Sequence, residues 1–365
     1  MTVIIFIIVL AILIFVHEFG HFLAARACGI RVDAFALGFG PKIISWRSKA
    51  KNGKPAGETE YSLRLIPFGG FVRIFGENPD EENMHGPDAA RSFVNKPRWQ
   101  QVIVLAAGVL CNFIFAWILY VIVFSTGVAA TSGDFGQYEK YLSNDRIMVT
   151  EVAKDSPAFS AGLKEGDVIT SFDSMDSVQQ FIKNSQGKPV DLKLLRSGKS
   201  ENVNVIPSQV SSSSPFMIGI AMERVADLRL PFYISIWEGF KYTGVMIKET
   251  TFGLGGFVAK MFHGTADYSQ ISGPVGIAGK VGDAAGMGIA YLIMITAIIS
   301  INLGVINLVP FPALDGGRIL VVIIEANFRR RISPKYINVI NIIGFVLLML
   351  LMVVITYRDI LNLVR

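Results

Sequence analysis

An apolar run from Val3 to Val16 carries no charge and leads directly into His17-Glu18-Phe19-Gly20-His21. The apolar character resumes through Phe22-Leu23-Ala24-Ala25. Together they make a segment of about 20 residues, long enough to span a bilayer as a helix. Two histidines and a glutamate are costly at the edge of such a segment, so a functional site is the default reading. On a helix, residues four apart are offset by about 40° and one turn of rise, so both imidazoles face the same way. Two such nitrogens grip one side of a zinc ion, and Glu18, about 100° round the helix, reaches a water at that metal. The bland alternative is a set of polar residues that marks the end of a transmembrane helix.

Of the 365 residues, 52% are hydrophobic and only 17% charged. Soluble chains carry about 25% charge, so the class is integral membrane protein. The net charge of +5 does not come from basic residues interleaved with aromatics, and no nucleic-acid partner is expected. Cys28 and Cys111 lie in or beside apolar segments and form neither a disulfide framework nor a thiolate metal site. No Lys or Arg precedes the first apolar run, unlike a secretory signal, so it reads as a retained first transmembrane helix.

Three more spans follow: Val102 to Phe124, apolar apart from Asn112, then Gly286 to Val309 and Ile337 to Ile355. Residues 26 to 100 are rich in Arg and Lys, as is the loop holding Arg318, Arg329, Arg330, Arg331 and Lys335. By the positive-inside rule both are cytoplasmic, which leaves both termini and the central unit outside the cytoplasm. Within the first basic segment, Ala34 to Gly40 and Tyr61 to Ile66 read as short strands broken by Pro41 and by Pro67-Phe68-Gly69-Gly70, with Phe71 to Phe75 a further strand. A small sheet dipping into the membrane beside the first helix places its edge near the metal, as a template for an extended peptide. The alternative is a cytoplasmic hairpin that merely packs.

The chain divides into a membrane core over 1–126, a soluble unit over 147–207, a linker with an interfacial amphipathic segment over 208–285, and a second membrane core over 286–365. Gly127 to about Ser143 reads as a linker. The soluble unit offers strands at Met148 to Val152, Val190 to Leu195 and Glu201 to Ile206, the last two around Ser197-Gly198-Lys199, and a helix from Ser177 to Asn184. Its run Ser156 to Ile169, S-P-A-x-x-A-G-L-x-x-G-D-x-I, resembles a bacterial PDZ domain, whose groove binds peptide by strand addition. Asp167 is placed there to bond a nearby turn. Ser211 to Ser214 reads as a flexible joint, and the aromatic-rich Pro231 to Phe262 as a helix lying in the membrane interface.

A catalytic zinc site holds three protein ligands and a water, so His17 and His21 leave it one short. Asp315, in Asn307-Leu308-Val309-Pro310-Phe311-Pro312-Ala313-Leu314-Asp315-Gly316-Gly317, is an acid on the same side of the membrane as the histidines. Pro310 and Pro312 prevent a regular helix there and free the backbone.

The motifs taken in order are H-E-x-x-H, P-x-G-G at Pro67 to Gly70, one PDZ-like insertion, G-P-V-G-I at Gly273 to Ile277, and N-x-x-P-x-P-x-L-D-G-G. Over nearly the whole chain they resemble the site-2 protease family, and more narrowly its bacterial regulator-of-sigma-E-protease branch. The resemblance implies an α-helical polytopic membrane protein with four transmembrane helices, a membrane re-entrant β-hairpin and an inserted extracytoplasmic α+β PDZ-like domain. It implies Zn2+ held by His17, His21 and Asp315, Glu18 as general base, and Asn307 as a polar group for substrate backbone or the developing oxyanion. The implied activity is an intramembrane endoprotease of the bacterial cytoplasmic membrane. Its substrates would be single-pass membrane proteins, such as anti-sigma factors, or remnant signal peptides. Some relatives carry two PDZ units and this chain has room for one, which leaves substrate-size filtering open.

Two other classes compete. A membrane-anchored PDZ peptide-binding protein with an inactive metal site is opposed by the intact set of His17, Glu18, His21, Asn307 and Asp315. A transporter is opposed by the lack of internal symmetry between the two halves. His85 and His263 lie in loop or interfacial stretches, where solvated roles are expected.

Overall fold

The computed structural model describes residues 1–47, 58–78, 81–131, 136–196, 199–209, 214–265 and 272–364. Two compact units emerge, Met1–Ile122 with Ile236–Arg365, and Val123–Ser235. Helix α1 (Thr2–Ala27) holds the first apolar run. It ends in a Schellman motif, Gly29 N–H bonding Arg26 O at 3.0 Å and Ile30 N–H bonding Ala25 O at 2.9 Å. That turn feeds β1 (Val32–Arg47), which pairs antiparallel with β2 (Glu60–Ile74).

Each of these strands is folded on itself. Ala34 to Leu37 face Arg73 to Gly70 on one side and Glu60 to Leu63 on the other, while Lys42 to Arg47 return along Arg64 to Glu60. Two strands therefore make four rungs, and the inner limbs at 34–37 and 60–63 rise in step. The prolines expected to break three separate strands, Pro41 and Pro67, lie instead within two continuous ones, in the segments where the chain bends. Proline lacks the N–H that a straight ladder needs, and a bend does not require it. After α2 (Glu81–His85) and two 3-10 turns comes α3 (Arg98–Thr126), the second span.

The unit Val123–Ser235 is wider than the 147–207 expected for the soluble part. Its sheet has the order β3-β8-β4-β5-β6-β7, from β3 (Val128–Thr131), β4 (Leu142–Val152), β5 (Val168–Ile169), β6 (Val190–Arg196), β7 (Lys199–Val205) and β8 (Ile220–Leu228). Gly127 to Ser143 is therefore no linker, because it supplies β3 and the start of β4. Helices α4 (Pro157–Ser160) and α5 (Met175–Asn184) are each capped by a serine: Ser156 Oγ accepts from Phe159 N–H and Ser174 Oγ from Ser177 N–H, both at 3.2 Å. Alternation in β6 turns Val190, Leu192 and Leu194 into a core with Val149, Ile169, Val178 and Ile182. Asp167 bonds the Lys164 amide at 2.9 Å and the Arg196 guanidinium at 2.6 and 2.7 Å. Ser197 and Gly198, expected in a turn, and Ser211 to Ser213, expected in a joint, lie outside the described residues.

The first unit resumes in α6 (Phe232–Phe262), α7 (Pro274–Met287), α8 (Ile289–Leu308), α9 (Asp315–Phe328) and α10 (Pro334–Val364). The stretch 208–285, expected as linker and interfacial segment, thus contains β8, α6 and α7. α6 packs on α3 and α8: Trp117 Nε1 donates to Ile236 O at 2.9 Å, and Thr250 Oγ1 to Asn302 Oδ1 at 3.2 Å. α7 starts at the G-P-V-G-I motif, where Asp359 of α10 accepts from Gly273 N–H at 3.2 Å and Gly276 N–H at 2.7 Å. Among the described residues, four helices are long and apolar enough to cross a membrane: Thr2–Ala27, Arg98–Thr126, Ile289–Leu308 and Pro334–Leu361. The shortest, at 20 residues, spans about 30 Å, the thickness of a hydrocarbon core. One buried cluster, Phe22, Val32, Phe35, Val72, Val104 and Val322 among its members, joins α1, both strands, α3 and α9. It is the platform under the site.

Candidate metal centre

His17 and His21 lie on consecutive turns of α1, both 8% exposed. Their Nε2 atoms stand 3.2 Å apart. Asp315 opens α9, where a carboxylate also suits the positive end of the helix dipole. Its Oδ2 lies 3.2 Å from His17 Nε2 and 3.3 Å from His21 Nε2. That oxygen is buried, and among the described residues no N–H meets it in hydrogen-bond geometry.

Ligands about 2.0–2.1 Å from a tetrahedral zinc ion stand roughly 3.3 Å from one another. The triangle of Nε2, Nε2 and Oδ2 has that size, and an ion satisfies the orphaned oxygen. Two neutral imidazoles and a carboxylate also form a donor set characteristic of catalytic zinc. The residues present fit the metal.

The local sequence explains how the three atoms meet. Gly316 and Gly317 let α9 begin directly beneath the Pro310–Leu314 loop, for a Cβ on either would stand 2.2 Å from the carbonyl oxygen of Leu308 or Phe311. Asn341 of α10 steadies the same loop by accepting from Ala313 N–H at 3.2 Å. Farther along α9, Arg318 pairs with Glu77 and Glu325 with Arg98. On the other side, Gly108 of α3 leaves room for both imidazoles, since a Cβ there would lie 2.4 Å from His21 Nε2 and 2.8 Å from His17 Cε1. One turn before Gly108, the Val104 carbonyl accepts from His21 Nδ1 at 2.8 Å, which leaves His21 Nε2 unprotonated for a metal. One turn after it, Asn112 Nδ2 approaches His17 Nδ1 at 3.2 Å.

Glu18 is half-buried on the neighbouring face of α1, where β2 passes beside it at Gly70. Asn307 is half-buried near the end of α8, and among the described residues no hydrogen bond ties it to the three convergent groups. A cavity of about 500 Å³ opens beside Asp315, lined by Asn78, Arg318, Asn338 and Asn341 among others. Sequence reasoning gave no role to Val104, Gly108, Asn338 or Asn341, used Arg318 only as one of the basic residues of a cytoplasmic loop, and noted Asn112 only as the polar exception in its span.

Residues 5–351 match the family described as peptidase family M50. A Clostridium perfringens protein with a zinc-metalloprotease name is 34% identical over 354 residues, covering 95% of each chain. A Clostridium acetobutylicum protein named in the same way is 32% identical, covering 98% of this chain and 97% of its own. Zinc metalloprotease RasP of Geobacillus kaustophilus is 29% identical, again with 98% and 97% covered. With four membrane-length helices and donors suited to zinc, this membrane protein belongs to peptidase family M50, the site-2 proteases, and is a zinc-dependent metalloprotease.

Proposed function

We propose that the chain is an intramembrane endoprotease whose zinc is held by His17, His21 and Asp315. The observation that carries this reading is the triangle of three donor atoms, 3.2–3.3 Å on each side, two of them on a membrane-length helix that also carries a carboxylate on its next face. When bound, zinc supplies the Lewis acidity by which a water becomes a nucleophile near neutral pH. Glu18 takes the proton from that water and returns it to the leaving amine. Asn307 binds the substrate backbone or the oxygen on which charge develops. Asp315 and the histidines stay as ligands throughout.

A peptide bond inside a helix is hidden by its own hydrogen bonds, so a transmembrane substrate must unwind before it is cut. The β1–β2 sheet is the element to hold it extended, because the rung of Gly70 to Ile74 is outermost and passes beside Glu18. Ile43, Ile44, Trp46, Leu63, Leu65 and Ile66 are exposed on this sheet, which supports its entry into the bilayer as a re-entrant element.

Substrates are single-pass membrane proteins, in regulated intramembrane proteolysis, or remnant signal peptides. The unit Val123–Ser235 is read as a PDZ-like filter outside the cytoplasm, from the motif Ser156 to Ile169 and its place between two spans. The basic segments support a metal site toward the cytoplasmic face of the bacterial inner membrane.

Co-expression with candidate single-pass proteins tests the proposal. Wild type should cut at least one of them, and Glu18→Gln should cut it at least about a hundredfold more slowly, the low end for a positioned acid–base group. Glu18→Gln should also retain zinc. Undiminished cleavage by that variant refutes the mechanism.

A further inference from the structure

We infer that Asn112 is a positioning residue for the metal centre: its carboxamide oxygen accepts a hydrogen bond from His17 Nδ1–H and fixes the imidazole with Nε2 free for the ion. The inference rests on the zinc assignment and goes beyond it, to what decides the protonation pattern of a ligand.

Asn112 is fully buried in the middle of α3, within the otherwise apolar stretch from Val102 to Phe124. Burying an amide in such a place without a hydrogen bond is costly, so its side chain needs a partner. The group beside it is His17 Nδ1, 3.2 Å away. Val104, Gly108 and Asn112 lie four residues apart and form one stripe of α3. Its first residue holds His21, its second makes room for both rings, and its third meets His17. The stripe is itself anchored, since Ser300 Oγ of α8 donates to the Asn112 carbonyl at 2.8 Å. Each histidine thus has its outer nitrogen on α3.

The chemistry selects the oxygen of Asn112. A histidine that offers Nε2 to a metal carries its proton on Nδ1, where it is a donor. In the structure, the amide nitrogen, also a donor, faces Nδ1, while Oδ1 is buried and has no partner among the described residues. The two orientations of a carboxamide fill almost the same volume. A half-turn about the last side-chain bond replaces a donor–donor approach with an N–H···O bond and moves the amide N–H₂ to where the oxygen was. His17 is then oriented by a side-chain carbonyl as His21 is by a backbone one, the arrangement that usually fixes ring and tautomer in metal-bound histidines.

The test is zinc affinity of the full chain in detergent, measured by chelator competition, with the absorption spectrum of the Co2+-substituted protein as second readout. Asn112→Leu, similar in size and without a polar atom, should bind zinc about 10–100-fold more weakly and shift the Co2+ bands. Asn112→Asp, which presents only acceptors, should bind zinc at least as tightly as the native chain. A folded Asn112→Leu variant with native affinity and native Co2+ bands overturns the inference and leaves Asn112 as packing. Loss of zinc in Asn112→Asp also overturns it, and decides alone if Asn112→Leu fails to fold. Failure of the zinc assignment itself looks different: the native chain, or Asp315→Ala, would show no dependence of zinc content on the three ligands.

Discussion

Glu325 Oε2 lies 2.8 Å from Arg98 Nη1, closing the far end of α9 onto the start of α3. The other oxygen of Glu325 accepts from Ile332 N–H at 2.9 Å. Since α9 carries Asp315 at its opposite end, this pair and the Arg318–Glu77 pair hold the helix that carries the proposed third ligand. Glu325 is buried, so removing Arg98 strands a charge. Arg98→Met should destabilise the protein by about 3 kcal/mol, the low end for a broken buried pair because Arg98 keeps some water. Arg98→Met with Glu325→Met should recover most of that loss in thermal unfolding in detergent. A double variant no better than the single one removes the coupling.

Metal content should follow the three converging donors. The purified chain should hold about one zinc per molecule, and His21→Ala or Asp315→Ala should lose most of it, because binding and site assembly are one process. Elemental analysis after dialysis measures this directly. Full zinc retention in Asp315→Ala excludes that residue as a ligand.

How much of this was legible in sequence depended on whether the signal was local. His17, Glu18 and His21 declared themselves through helical spacing inside an apolar run, and Asp315 through the demand for a third ligand. Their convergence came from the resemblance, since nothing local joins residues about 300 positions apart. The support from α3 was hidden for a different reason. Val104 acts through a backbone carbonyl and Gly108 through the absence of a side chain, and neither leaves a mark in residue chemistry. Asn112 did leave one, as a lone amide in an apolar span. β3 and β8 were missed because each is paired to a strand about 100 residues away, and Pro41 and Pro67 were read as breaks where the chain only bends.

Asp167 makes the unit Val123–Ser235 sensitive to acid. Burial alone would raise its carboxyl, but the Arg196 guanidinium and the Lys164 amide outweigh burial and hold it below the ordinary aspartate range. A carboxyl lower in the folded than the unfolded state contributes stability that is present above the unfolded value, about 3.9, and lost as pH falls through the folded one. Amides of β5 and β6, corrected for intrinsic exchange rate, should keep their protection down to about pH 4 and lose it below. In Arg196→Met, protection at neutral pH should fall and the further loss in acid should shrink. An unchanged acid profile in that variant refutes the role given to the pair.

The final prediction separates a filter from a part of the catalytic core. Val128 of β3 pairs with Leu228 of β8, so the chain enters and leaves the sheet of Val123–Ser235 at neighbouring points. Removing 128–228 and joining Gly127 to Arg229 therefore needs only a short splice. Removing 147–207 alone would cut β4 after Arg146 and strip β8 of most of its partner. If this unit excludes substrates that still carry a bulky domain, the 128–228 deletion should keep its zinc and cut a trimmed single-pass substrate at a rate near that of the full chain. It should also begin to cut the untrimmed form, because steric exclusion requires no specific contact. A deletion that inserts, folds and holds zinc yet cannot cut the trimmed substrate defeats the filter, and assigns this unit to presenting the substrate.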